Sequence, residues 1–159
     1  MANPGRPPQA RGVFALEEPL PPAAIVFDTS FVVAALAPRQ PFHSACLDFV
    51  SRAAVGGTVV YFNRLLEAAW AEMLSALSWS RVELEMTVEE VPKLMQGYGL
   101  ASYDAVHVAT ALVVGVPRIA TLDADFARVP MKRLMVHVPR ARIRSFRQVR
   151  GSAERERAT

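Results

Sequence analysis

The sequence predicts an α/β domain with a mostly parallel central sheet and helices on both faces. Three observations carry this. Short apolar runs of strand character alternate along the chain with longer segments of helical spacing. Parallel neighbours need such crossover segments, and the crossing helices cover the two faces of the sheet. The composition also supplies a core: 52% of the 159 residues are hydrophobic and 21% are charged, which suits one folded domain.

Residues 1–22 contain Pro4, Pro7, Pro8, Pro19, Pro21 and Pro22. Proline lacks a backbone donor and blocks helix, so an extended, flexible arm is expected here. The folded domain is expected over residues 23–150, with a frayed tail at 151–159. Ala24-Ile25-Val26-Phe27 is an apolar run ending at Asp28 and reads as a buried strand. Ser30 to Ala37 follows as an apolar helix, stopped by Pro38 and Pro41. Phe42, Ala45, Cys46, Phe49 and Val50 have helical spacing, and that helix stops at Gly56-Gly57. Thr58 to Phe62 is a second strand, and Asn63 is placed to cap a helix running from Arg64 towards Trp79. Val82 to Thr87 has no clear period. Val88 to Gln96 reads as helix despite Pro92. Ser102 is placed to cap a helix from Tyr103 to Val114, ended by Gly115 and Pro117. Arg118 to Thr121 and Leu134 to Val138 read as the third and fourth strands.

Composition excludes several classes. The single cysteine, Cys46, rules out an intrachain disulfide framework and a Cys-rich zinc site. A reducing, cytoplasmic setting is expected. The longest apolar stretch, Ala105 to Val116, is too short to span a membrane and contains His107. No apolar signal-peptide run opens the chain. Charge is segregated: residues 23–125 hold six basic and eleven acidic side chains, whereas residues 126–159 hold ten basic and two acidic. A basic end on an acidic body suits a polyanionic partner, and equally a solvated tail.

Four acids stand at informative positions. Asp28 ends the first strand, Glu67 lies in the first turns after the second, and Asp123 follows the third with Asp125 beside it. Asp104 lies in the first turn of its helix. In open parallel sheets, sites form beyond the carboxyl ends of the strands. Carboxylates gathered there repel one another, which raises their pKa values or calls for a cation. Hard divalent ions such as Mg²⁺ or Mn²⁺ take oxygen ligands and keep several waters. Two such ions roughly 3.5–4 Å apart suit a phosphodiester displacement. Taken singly, each acid also has a plain structural role: Asp28 and Asp125 as helix caps, Asp104 as a favourable charge at a helix start, Glu67 as a solvated side chain. Together the four favour the metal.

The same residues resemble the motifs of the PIN-domain family. Ile25-Val26-Phe27-Asp28-Thr29-Ser30 resembles its opening strand and first acid, and Leu65-Leu66-Glu67 its second. Tyr103-Asp104-Ala105-Val106-His107-Val108-Ala109-Thr110-Ala111 resembles its third, and Ala120-Thr121-Leu122-Asp123-Ala124-Asp125-Phe126 its fourth. The resemblance implies a PIN-like three-layer α/β/α fold and a metal-dependent nuclease. Asp28, Glu67, Asp104 and Asp123 would then bind Mg²⁺ or Mn²⁺, with Ser30 and Asp125 in support. It further implies a VapC-like toxin ribonuclease acting on RNA, held inactive by a VapB-like antitoxin and commonly homodimeric.

Arginines supply candidate phosphate contacts. Arg39 follows the first helix and Arg64 the second strand. The alternation in Arg140-Ala141-Arg142-Ile143-Arg144 would put three arginines on one face of a strand. Each is also readable as a solvated or ion-paired residue. Two other nuclease roles stay open, in RNA processing or on DNA, as does a binding module that has lost its chemistry. A Rossmann-type nucleotide binder is disfavoured, because Asp28-Thr29-Ser30 stands where a Gly-rich phosphate loop would follow the first strand.

Overall fold

The computed structural model describes residues 12–64 and 77–159. Within them a single six-stranded, all-parallel sheet forms: β1 (Val13–Ala15), β2 (Ala24–Phe27), β3 (Val59–Asn63), β4 (Ser78–Val82), β5 (Arg118–Ala120) and β6 (Met135–Val138). The strand order is β1-β6-β5-β2-β3-β4. The longer helices are α1 (Thr29–Leu36), α2 (His43–Gly56), α3 (Glu90–Tyr98), α4 (Ser102–Val113) and α5 (Ile143–Ala158).

The strand order reverses between β2 and β5. From β2 the chain winds outward through β3 and β4, then returns to the other side of β2 for β5 and β6. Reversal opens a crevice beyond the carboxyl ends of these two strands, where α/β proteins place their sites.

Side-chain alternation divides the core into two layers. Ile25 and Phe27 of β2 face α1 and α2, packing with Phe31, Phe49 and Ala53. Phe27 and Phe31 lie 4.6 Å apart between ring centroids, and Phe31 meets Phe49 edge-on at 5.8 Å. Val26 faces the other way, among Val108, Ala109, Phe126 and Phe146 from α4, the segment after β5 and α5. Burial of each large apolar side chain is worth about 1.5–3 kcal/mol. The predicted three-layer α/β/α architecture is thus present.

Several local expectations change. Residues 13–15, expected within an extended arm, are an edge strand: Val13 and Leu16 are buried, and β1 pairs in register with β6. Gly12 enters it at φ 67, where an added Cβ would lie 2.5 Å from Met131 and 2.8 Å from Arg150. Its missing side chain is a requirement of packing as well as of backbone. Residues 1–11 lie outside the described residues, as does 65–76 of the helix expected after Asn63. Trp79 is on strand β4 rather than on that helix. Ala101, not Ser102, is the N-cap of α4. Pro92 falls in the first turn of α3, where a missing N–H costs no helical hydrogen bond.

The largest correction is at the C-terminal end. Residues 140–144 form no strand: Arg140–Arg142 is a short 3₁₀ turn leading into α5. The helix continues through Ala158, so residues 151–158 are helical rather than frayed. Helical packing wins because Phe146, Arg150 and Ala153 share a buried face.

Candidate active site

β2 delivers Asp28 to the crevice. Asp28 is 3% exposed. Asp28 is the N-cap of α1 by backbone position, yet its carboxylate makes no capping hydrogen bond to the helix. That answers the plain capping role. The carboxylate turns instead towards β5. Ser30 Oγ donates to its Oδ2, and Thr121 Oγ1 donates to the same oxygen at 2.7 Å. Both hydroxyl protons are then committed, so the 3.4 Å approach of Ser30 Oγ to Thr121 Oγ1 is a contact without a proton to share.

The two hydroxyls also accept. The backbone N–H of Leu122 donates to Ser30 Oγ at 3.0 Å, and that of Asp123 to Thr121 Oγ1 at 2.9 Å. The strand ends of β2 and β5 are thereby cross-braced at the point where sheet order reverses. Ser30 was anticipated from sequence. Thr121 was not singled out, although it stands two residues before Asp123 at a strand end.

Oδ1 of Asp28 faces His107 Nε2 at 3.5 Å, and the same nitrogen lies 3.2 Å from Thr29 Oγ1. His107 is buried, and burial lowers its pKa more strongly than Asp28 raises it. A neutral imidazole results, which packs α4 against the start of α1.

Asp123 and Asp125 follow β5. Oδ1 of Asp123 accepts from the Asp125 N–H at 2.9 Å, closing the turn Ala124–Arg128. Asp125 is half exposed and pairs with Arg128 Nε at 3.2 Å. Asp104 stands in the first turn of α4. That helix runs back to the start of β5, so its N-terminus lies at the carboxyl edge of the sheet with the other acids. Asp104 registers the crowding: its pKa is pushed up to about 6, by burial first and then by Asp28, Asp123 and Asp125. The structure therefore brings Asp28, Asp104, Asp123 and Asp125 into one electrostatic neighbourhood. Glu67 lies outside the described residues.

Among the described residues, no group of three or more His, Cys, Asp or Glu side chains is gathered closely enough to hold a metal ion. The chemistry of the neighbourhood nonetheless fits a hard cation that retains several of its waters. Its ionisable donors are carboxylate oxygens, and their mutual repulsion is what such a charge relieves. Thiolate chemistry is absent: Cys46 is buried in the α1–α2 layer and its thiol is pushed up to about 12, by burial and then by Glu17.

The candidate phosphate-binding arginines separate. Arg39 is exposed beyond the far end of α1, eight residues or about 12 Å of helix from Asp28. Arg64 follows the carboxyl end of β3 but is paired with Glu83 at 3.3 Å. Arg140 and Arg144 are exposed beyond the carboxyl end of β6, whereas Arg142 lays its guanidinium 5.6 Å from the Phe146 ring centroid.

Residues 25–132 match the PIN domain family, and the chain belongs to it. PIN domains are generally metal-dependent nucleases. No curated protein and no solved structure matches the chain. Among the described residues, no helix is long and apolar enough to cross a membrane.

Proposed function

We propose that this protein is a metal-dependent endoribonuclease that cleaves RNA phosphodiester bonds with Mg²⁺ or Mn²⁺. The observation that carries the reading is the seating of Asp28, cross-braced by Ser30 and Thr121, in the crevice between β2 and β5 beside Asp104 and Asp123. Asp28, Asp104 and Asp123, which among the described residues are not close enough to chelate an ion together, would hold the cation in part through its waters, with Glu67 as the expected fourth acid. When bound, the cation would activate a water for attack on phosphorus and neutralise charge on the phosphate. Ser30 and Thr121 fix the Asp28 carboxylate through Oδ2 and so hold its orientation in the crevice. Attack of water on phosphorus with breakage of the P–O3′ bond and protonation of the departing 3′-oxygen would leave a 5′-phosphate and a 3′-hydroxyl.

The biological role we infer is that of a VapC-like toxin, cytoplasmic and homodimeric, inhibited by a VapB-like antitoxin. The motif set supports that role, together with a domain of this size. The test is cleavage of a mixed pool of single-stranded RNA, beside single-stranded DNA, with Mg²⁺ or Mn²⁺. EDTA and Asp28→Asn serve as controls. Metal-dependent RNA cleavage, lost in Asp28→Asn, supports the nuclease. Equal cleavage by wild type and variant sinks it, and preference for DNA moves the substrate class. Growth arrest on expression, relieved by a protein encoded beside it, tests the toxin role.

A further inference from the structure

Arg140, Arg144 and Arg147 are all exposed and line one concavity of about 710 Å³ with Ala15, Ile143 and Gln148. Their spacing, four and then three residues, puts them on one face of the 3₁₀ turn and α5. None of the three guanidinium groups is paired with a carboxylate among the described residues, although Glu18 also lines the concavity and Glu17 accepts from the Arg140 backbone N–H at 2.9 Å. Arg142 is turned aside onto Phe146.

The place of this face matters as much as its charge. α5 begins just beyond the carboxyl end of β6, and α4 begins at the same edge and on the same face of the sheet. Asp28 ends β2, two strands from β6. With strands about 4.8 Å apart, the lateral step between the two strand ends is about 10 Å.

We propose that Arg140, Arg144 and Arg147 form a phosphate track for single-stranded RNA, leading from the acids past the ends of β5 and β6 towards the outer edge at β1. This rests on the nuclease reading above and adds to it the surface that holds the strand. The eight positions from Arg140 to Arg147 extend roughly 10 Å along the helical segment. Several backbone phosphates of one strand fit along such a line. Among the described residues, no aromatic side chain lines the concavity, so the track grips backbone rather than base and is indifferent to sequence. An acidic polypeptide is the competing occupant. The position of the track on the edge that carries the acids favours the substrate.

The test is equilibrium binding of a labelled single-stranded RNA of mixed sequence, in EDTA to prevent cleavage, across about 50–200 mM salt. Each lost phosphate contact on a single strand shallows the slope of log K against log salt by about 0.7. Arg144→Gln with Arg147→Gln is expected to shallow it by about 1.4. Lys132→Gln with Arg155→Gln, an equal loss of charge elsewhere on the surface, is expected to leave it unchanged. Equal slopes for the two double variants overturn the track. So does an Arg144/Arg147 variant that binds RNA as wild type does but no longer binds polyglutamate. Cleavage is scored separately on the wild type. A shifted slope without cleavage removes the nuclease and keeps the track, and cleavage without a shifted slope does the reverse.

Discussion

Thr121 Oγ1 gives its proton to Asp28 Oδ2 at 2.7 Å and receives the Asp123 N–H at 2.9 Å. One buried hydroxyl thus sets the spacing between the first acid and the backbone of the last. Thr121→Val keeps the shape and removes both bonds. The part-buried Asp123 N–H and the buried Asp28 oxygen each lose a partner, so stability should fall by about 1–3 kcal/mol. Metal-dependent cleavage should fall about 10- to 100-fold, the usual effect of losing a group that orients a ligand. Thr121→Ser, which keeps the hydroxyl, should retain most activity. Chemical denaturation and initial rates check this, and equal loss in both variants would refute it.

Acidification should expose Asp104. Its carboxyl rises from 3.8 to about 6 in the folded protein, through burial first and then the neighbouring acids. The folded state holds this proton more tightly than the unfolded chain does. In metal-free protein the group therefore costs stability progressively as pH rises from about 3.8 to 6, and the full cost persists above that. Asp104→Asn should flatten this part of a plot of Tm against pH. Added Mg²⁺ or Mn²⁺ should raise the wild-type Tm more at pH 7 than at pH 5. A wild-type and Asn variant with parallel pH profiles would remove the crowding argument.

His137 should pull in the opposite sense. It is 5% exposed, stacks on Phe14 at 5.2 Å, and sits 3.2 Å from Arg118 Nη1. Burial, and then Arg118, push its pKa down to about 3. As pH falls below about 6.5 the unfolded chain takes up this proton while the folded one does not. Stability is lost through that window, down towards pH 3. His137→Phe should weaken the acid loss of Tm, and an unchanged acid limb would count against the assignment.

Arg150 is fully buried on α5, and its guanidinium donates to the carbonyls of Ala127 at 3.2 Å, Val129 at 3.0 Å and Leu134 at 2.9 Å. Burial lowers its pKa to about 10, which leaves it charged at neutral pH. It clamps the segment that continues from Asp123 and Asp125. Arg150→Met strands those carbonyls and should cost about 3 kcal/mol. A urea midpoint corresponding to less than about 1 kcal/mol would show that water replaces the clamp.

The parts of this fold readable in sequence were those in which local pattern and burial agree. Ala24 to Asp28 is apolar on one side of an acid and helical on the other, and it is the central strand leading to the site. Gly57 ends α2 in the left-handed conformation that the Gly56-Gly57 pair foretold. β1 and β4 were hidden for opposite reasons. Val13-Phe14-Ala15 is a three-residue strand among prolines, and only its distant partner β6 makes it one. Ser78-Trp79-Ser80-Arg81-Val82 is largely exposed at the other edge and lacks an apolar face. The arginine alternation after Pro139 fits a strand as well as a helix until Phe146 and Ala153 are weighed with it. Among the acids, sequence gave Asp28, Asp104 and Asp123 their places along the chain. The hydroxyl bridge through Thr121 is a contact between strands, which no spacing reveals.

The pairing of β1 with β6 has a consequence for biosynthesis. On a ribosome β1 emerges before every other strand of the sheet, and β6 emerges after them all. At about 5–20 residues per second, the first strand waits several seconds for the surface it must join. The Arg150 clamp on the segment after Asp123 is translated later still. Closure of the β1–β6 edge and bracing of the segment after Asp123 are therefore late events in synthesis, and the crevice between β2 and β5 is assembled from strands that have all emerged before them.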